Sequence, residues 1–334
     1  MNQKITLQKP GNTPIVNVSG LFNVARLFMK DETKNPTHTF KDRLAFEMLR
    51  PIVESLNKGV PVKKTTFGSI SYGNTAFSMG FFCNQLNNAC GSKVVNAVAF
   101  VPQKLFNKKF GPNTEGTILD AKEVLNAISK TCDLVEIDLS AKVYREKDLD
   151  ELARKNDKVL DCFVDITEGL NRPAYVNIII EAIEQLKSAP DFVIVPFGAG
   201  ILCNEIIDYI NDNNLKTKVI PVSSGNPDTI AIMLFGPIWV DTDALARDGK
   251  GWTRHDAIDC KGRARKPYLV HHVSDEEMLK AMTVLKENGI TAEASGASGF
   301  ALLPRLKEID PSFDSQKSSV LVINTGNGLL NFGG

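Results

Sequence analysis

Hydrophobic positions in this 334-residue chain cluster in short dense runs, separated by longer stretches of mixed pattern. Residues 94–101 are apolar almost without interruption, as a strand reads when both faces of a parallel sheet are covered. Shorter runs at 15–18, 26–29, 62–67, 134–137, 159–164, 192–195, 219–222 and 320–323 also read as strands. Between them lie helical patterns. One opens at Lys41, continues to about Leu56 and stops near Gly59 and Pro61; another follows Thr75 and continues through Gln85. Strand, loop and helix in alternation, without hairpin signals, predict an α/β fold with parallel sheets. Residues 228–266 fit no such pattern. They hold both tryptophans and many charges, and are expected to leave the sheet as an irregular excursion.

Composition narrows the function. Lys plus Arg (39) balances Asp plus Glu (39), so no net field favours a nucleic acid or an anionic membrane. No apolar run is long enough for a transmembrane helix, and the first residues lack the apolar core of a signal peptide. The six cysteines form no C-x-x-C pair and read as free thiols in a reducing compartment, so a cytoplasmic location is expected. No metal site is expected: His271 and His272 are adjacent and would point to opposite faces of a strand. A soluble enzyme or binder acting on a small molecule fits these properties.

Candidate chemistry sits where strands run into helices, the place ligands occupy in such folds. The stretch Lys34-Asn35-Pro36-Thr37-His38-Thr39-Phe40-Lys41-Asp42-Arg43 brings a lysine to a loop–helix junction. There an amine can bind a carbonyl if its neighbours lower its pKa, although a solvated surface lysine has the same local pattern. Ser71-Tyr72-Gly73-Asn74-Thr75 places a hydroxyl, a glycine and an amide at a helix start, which suits an anion or an ordinary cap. Val195-Pro196-Phe197-Gly198-Ala199-Gly200-Ile201 is a strand leading through a Gly-x-Gly turn to a helix, which suits a phosphate or a plain tight turn. Leu321-Val322-Ile323-Asn324-Thr325-Gly326-Asn327-Gly328 ends a further strand in a hydroxyl and two glycines.

Taken in order, these stretches resemble the fold type II pyridoxal-phosphate (PLP) enzymes, and among them most closely the threonine synthases. The threonine synthase lysine motif reads roughly Lys-Asn-Pro-Thr-Gly-Ser-Phe-Lys-Asp-Arg, and His38-Thr39 replace its Gly-Ser. Two further segments, Thr167–Tyr175 and Ala292–Ser298, are similar to threonine synthase segments. The resemblance implies two lobes, each with a mostly parallel sheet flanked by helices and with PLP in the cleft between them. Expected bounds are 1–50 with 150–334 for the large domain and 51–149 for an inserted smaller one.

The resemblance also implies roles. Lys41 would be the Schiff-base lysine and the general base and acid. Asn74 would contact the ring oxygen of PLP, and Gly198, Ala199, Gly200 and Ile201 would cradle its phosphate. Thr325 would face the ring nitrogen. Ser71, Tyr72, Gly73 and Thr75 would bind the substrate, Ser71 and Thr75 holding its carboxylate. A homodimer acting on an amino acid is expected.

The activity so implied is conversion of O-phosphohomoserine and water to threonine and phosphate. The chain departs from the pattern at the substrate. Threonine synthases carry an Asn-Ser…Asn-Pro-x-Arg run that grips the substrate phosphate; here Val159–Ile166 has no arginine and two acids, Asp161 and Asp165. Tyr72 also stands where a small serine is usual. These departures motivate an alternative, elimination or replacement at Cβ of serine, threonine or an activated serine. A homologue that binds PLP or another ligand without turnover is a second alternative. A dinucleotide-binding protein is more distant, because no Gly-x-Gly-x-x-Gly follows the first strand.

Overall fold

The structure is a computed structural model. It describes residues 4–71, 73–103, 109–112, 118–139, 142–167, 174–224, 226, 229–231, 245–247, 251–254 and 266–327. Along the chain run β1 (Ile15–Asn17), β2 (Arg26–Asp31), α1 (Lys41–Asn57), β3 (Thr65–Ile70), α2 (Asn74–Cys90), β4 (Val95–Pro102), β5 (Lys109–Pro112), β6 (Ile118–Asp120), α3 (Ala121–Ser129), β7 (Asp133–Ile137), α4 (Glu146–Lys155) and β8 (Cys162–Asp165). There follow α5 (Val176–Leu186), β9 (Phe192–Pro196), α6 (Ile201–Asp212), β10 (Lys218–Ser224), β11 (Leu245–Arg247), β12 (Gly251–Arg254), β13 (Tyr268–Val273), α7 (Asp275–Glu287), α8 (Ala294–Leu302), α9 (Leu306–Ile309) and β14 (Ser319–Asn324).

Two sheets organise the chain, as expected of an α/β fold. The larger has the order β1-β2-β14-β9-β10-β13-β12-β11, the smaller β7-β4-β3-β8. The smaller is parallel throughout. The larger is parallel from β2 to β13 and antiparallel at both margins. Its central strands β9 and β14 are buried along their whole length, so they carry the uninterrupted apolar runs seen in the sequence.

Several expectations change. Strand β3 extends to Ile70, so Gly68, Ser69 and Ile70 belong to the strand rather than to the loop after it. The smaller sheet includes β8, beyond the boundary expected at residue 149, because β8 pairs with β3 through Thr65–Gly68. Hairpins occur without a two-residue Gly signal, in β1–β2 and β5–β6. Within 228–266, described residues 245–247 and 251–254 join the sheet through β13 instead of leaving it. The rest of that region except 229–231 and Lys266, together with Tyr72, Cys260, Gly328 and 168–173, lies outside the described residues.

One polar cluster inside the fold aims the first helix. Arg43 binds Glu32 from Nε at 2.7 Å and Glu181 from Nη1 at 2.7 Å. Lys30 meets Glu181 at 2.7 Å and donates to the Thr13 carbonyl at 2.6 Å. Asn35 Nδ2 donates to Glu32 Oε2 at 2.7 Å. Two cations and two anions thus neutralise one another in a buried site, where an unmatched charge would be costly. The Arg43 and Lys30 pairs hold Glu181 down to about 2 against the upward push of burial. The cluster ties the start of α1 to β2 and α5, and so fixes where Lys41 emerges.

Candidate active site

Lys41 is the first residue of α1, and the C-terminal turn is stapled to the loop before it. Phe40 N donates to the Thr325 carbonyl at 3.0 Å, and Asn327 N donates to the His38 carbonyl at 2.8 Å. Thr39 and Gly326 form an isolated antiparallel bridge. Gly326 has φ +155°, and a Cβ there would lie 2.8 Å from the His38 carbonyl oxygen and 3.0 Å from Thr39 Cα. Only glycine lets the two backbones come this close. Residues almost 300 positions apart are thereby brought side by side, Phe40 next to Thr325 and Lys41 one residue further on.

The Lys41 amine is desolvated and makes no ion pair or hydrogen bond with a described residue. Burial lowers its pKa to about 8, opposed only by the more distant charge of Glu205. Nζ lies over two aromatic rings, 4.6 Å from the Phe40 centroid and 5.4 Å from that of Tyr175. Below it, Asp42 accepts bonds from Thr37 N at 2.6 Å, from the Thr37 hydroxyl and from the Ser78 hydroxyl at 2.6 Å. These bonds join the lysine turn to α2. His38 takes φ +60°, a left-handed conformation suited to the glycine found there in threonine synthases. Its Nδ1 lies 2.9 Å from the Thr33 carbonyl oxygen.

Asn74 opens α2, and its Nδ2 donates to Glu293 Oε1 at 3.0 Å and Oε2 at 3.3 Å. Glu293 is the N-cap of α8, and its own N–H donates to the Gly326 carbonyl at 3.1 Å. Burial pushes its carboxyl pKa up, while bonds from Ser295 and Asn74 pull it down. The Asn74 turn, α8 and the Thr325 turn therefore converge.

Ser71 is already engaged. Its Oγ accepts from Gly73 N at 3.3 Å and from Ala76 N at 3.2 Å. It shapes the first turn of α2, which narrows the direct carboxylate-holding role expected of it to its one O–H donor. Gly73 is buried and Thr75 half-buried at this helix start. Gly198, Ala199 and Gly200 leave the end of β9, with Gly200 at φ +85° as N-cap of α6, and Ile201 is that helix's first residue. This turn presents a helix N-terminus, as a phosphate requires. Nothing described places it in contact with the Lys41–Thr325 pair, although β9 and β14 are adjacent parallel strands and both turns leave their C-terminal ends.

Two site residues were not legible as such in the sequence. Glu205 on α6 accepts the N–H groups of Ala174 at 3.2 Å, Tyr175 at 2.6 Å and Val176 at 2.7 Å, and so caps α5. Burial pushes its pKa up to about 7. Tyr175 is fully buried, packs against Phe40 with ring centroids 4.8 Å apart, and its hydroxyl has no partner among the described residues. An acid beside the apolar positions Leu202 and Ile206 of a helix following a Gly-x-Gly turn was the available signal for Glu205.

The model of the pyridoxal-phosphate dependent enzyme family matches residues 6–326. The chain belongs to that family. A cysteine synthase B of Campylobacter jejuni is 23% identical over 65% of this chain and 64% of its own length, so the match spans less than two thirds of that relative. A hydrogen sulfide-producing enzyme of Fusobacterium nucleatum is similar in structure, with TM-score 0.64, 20% identity and 98% coverage of both chains. A fungal L-serine ammonia-lyase of Rhizomucor miehei has TM-score 0.63, 18% identity, and coverage of 97% of this chain and 95% of that one. At these identities the structural likeness establishes the fold.

PLP is the family's cofactor, and the residues present fit it. An unpaired, desolvated amine suits the aldehyde, and the Thr325 hydroxyl makes no hydrogen bond with a described residue. The buried Asn327 Oδ1 in the same turn is also without a partner among the described residues. A polar guest between these groups would satisfy them. Among the described residues, no helix is long and apolar enough to cross a membrane.

Proposed function

We propose that this PLP-dependent enzyme eliminates or replaces the Cβ substituent of an unphosphorylated serine-type amino acid. The observation that carries the reading is the desolvated Lys41 amine, unpaired among the described residues and with its pKa lowered to about 8, on a turn whose Phe40 N–H is bonded to the Thr325 carbonyl. When bound, PLP supplies the electron sink that makes a substrate Cα proton removable. Lys41 would hold PLP covalently, Asn74 its ring oxygen, Gly198, Ala199, Gly200 and Ile201 its phosphate, and Thr325 its ring nitrogen. A hydroxyl, unlike a carboxylate, does not keep that nitrogen protonated, which favours loss of a β-substituent over chemistry needing a stronger sink. Lys41, when its amine is free, would take the substrate Cα proton and deliver a proton to the leaving group. An amine of this pKa exchanges protons readily near neutrality. Ser71, Gly73, Thr75 and Tyr72 would bind the substrate carboxylate end.

The substrate class rests on charge. Asp165 ends β8 and its Oδ1 accepts from Thr167 N at 2.8 Å. Thr167 Oγ1 accepts from Ile70 N at 2.9 Å, next to Ser71. An acid so near the substrate turn, where threonine synthases place a phosphate-gripping run, opposes a phosphorylated substrate. The activities of the relatives, cysteine synthase and L-serine ammonia-lyase, support the same chemistry. The lysine motif favours a second reading, conversion of O-phosphohomoserine to threonine. Supplying the PLP-loaded protein with serine, threonine, O-acetylserine and O-phosphohomoserine separates the two. Release of a 2-oxoacid, or of acetate with sulfide as acceptor, is expected; phosphate release from O-phosphohomoserine alone would establish the second reading instead.

A further inference from the structure

We propose that Glu205 is a positioning residue for the Lys41 amine and acts through Tyr175, whose ring forms part of a seat for that amine. The inference rests on Lys41 being the cofactor lysine. Three observations carry it. Glu205 takes up three consecutive N–H groups at the start of α5, including that of Tyr175 itself. Charge-assisted bonds of this kind are the stronger sort, so the backbone of Tyr175 is fixed by α6. The Tyr175 ring then packs on Phe40, and the two rings lie 5.4 Å and 4.6 Å from Lys41 Nζ. Finally, the amine has no acidic contact partner among the described residues, where ring faces and the more distant Glu205 charge stabilise its ammonium form.

This seat has a use. A lysine released by the incoming substrate must stay close to Cα and exchange protons near neutral pH. A carboxylate in direct contact would hold it as a permanent ammonium, whereas rings and a carboxylate one layer away allow both forms. Among the described residues, the charged and titratable groups around the seat are Asp42 and His38 on the lysine turn, Tyr175 before α5, and Glu205 and Asp208 on α6. Glu205 raises the Lys41 pKa, so neutralising Glu205 must lower it.

The test uses the full chain freed of PLP, with acetic anhydride as the amine probe and mass spectrometry of the Lys41 peptide as the readout across pH 6–10. For Glu205→Gln the modification midpoint should move to lower pH, making Lys41 roughly twofold to threefold more reactive at pH 7. Glu205→Asp should restore the parental midpoint. Tyr175→Leu, which removes the ring, should also lower the midpoint, while Tyr175→Phe should keep it. An unchanged midpoint in Glu205→Gln, with melting showing that the variant is folded, would leave Glu205 as a helix cap only and overturn the proposal. So would an unchanged midpoint in folded Tyr175→Leu. Borohydride reduction of the PLP-loaded parent is a separate check: absence of the label from Lys41 would reject the underlying cofactor assignment, whatever the midpoints.

Discussion

Gly326→Ala is the substitution whose effect the structure specifies most closely. The new Cβ would lie 2.8 Å from the His38 carbonyl oxygen and 3.0 Å from Thr39 Cα, both backbone atoms that cannot turn away. Forcing alanine into φ +155° costs about 1–2 kcal/mol, and overpacking against a fixed backbone adds about 1–3 kcal/mol. A total near 3 kcal/mol follows. Unfolding entropy of about 2.1 cal/mol/K per residue, over 334 residues, is roughly 0.7 kcal/mol/K, so melting should fall by about 4 °C. The displaced turn carries the bonds from Phe40, Asn327 and Glu293, so Lys41 and Thr325 move apart and PLP binding should weaken about tenfold or more. Gly20→Ala is the control. Gly20 has φ +88° but nothing within 4 Å of its added Cβ, so it should lose only about 1 kcal/mol and bind PLP normally. The assays are thermal melting of the PLP-free protein and titration of PLP by visible absorbance. If both variants melt alike and bind PLP alike, the staple does not align the site and the reasoning fails.

Other outcomes follow from the same contacts. Lys41→Met should abolish the borohydride-sensitive visible absorbance yet stabilise the PLP-free protein by about 1–3 kcal/mol at pH 7, because a lysine whose folded pKa lies below its unfolded value is disfavoured while charged. That gain is full below about pH 8 and fades as pH rises towards the ordinary lysine value of 10.5; urea unfolding at pH 7 and pH 10 checks it, and a less stable variant at pH 7 would contradict it. Glu181→Gln strips the shared partner from Arg43 and Lys30 and should cost about 2–4 kcal/mol at pH 7. Since the folded pKa of Glu181 is lowered to about 2, its contribution is present above 4.5 and is lost as pH falls towards 2, so parent and variant should converge in acid. A difference under 0.5 kcal/mol at pH 7 would show the cluster to be dispensable. His38→Gly should be neutral or stabilising by about 0.5–1 kcal/mol and His38→Ala destabilising, because only glycine takes φ +60° freely; the reverse order in chemical denaturation would exclude the backbone account.

Several candidate site residues could be named before any coordinates. Lys41, Asn74, the Gly198–Gly200 turn and Thr325 each follow or face the end of an apolar strand, and helix starts and strand ends are marked by local residue choice. His38 shows the limit of such reading. In the sequence it is only a departure from Gly-Ser, whereas its conformation identifies it as a left-handed position held by a carbonyl contact. Ser71 shows it again: a hydroxyl at a helix start was read as substrate contact, and the backbone had first claim on its acceptor. Glu205 and Tyr175 lie 30 residues apart, and no local pattern could pair a carboxylate with the first turn of another helix.

Local periodicity and strand-end glycines were enough to indicate an α/β protein, and the resemblance of the ordered motifs was enough to indicate PLP and to nominate Lys41 as a candidate lysine, because those signals depend on neighbours within a few residues. The proton affinity of that lysine, the pairing of Asn74 with Glu293, and the neutral four-charge cluster beneath α1 were decided only in three dimensions. Desolvation and Coulomb interaction depend on distance through space, and β14 carries the end of the chain to the lysine turn near its beginning.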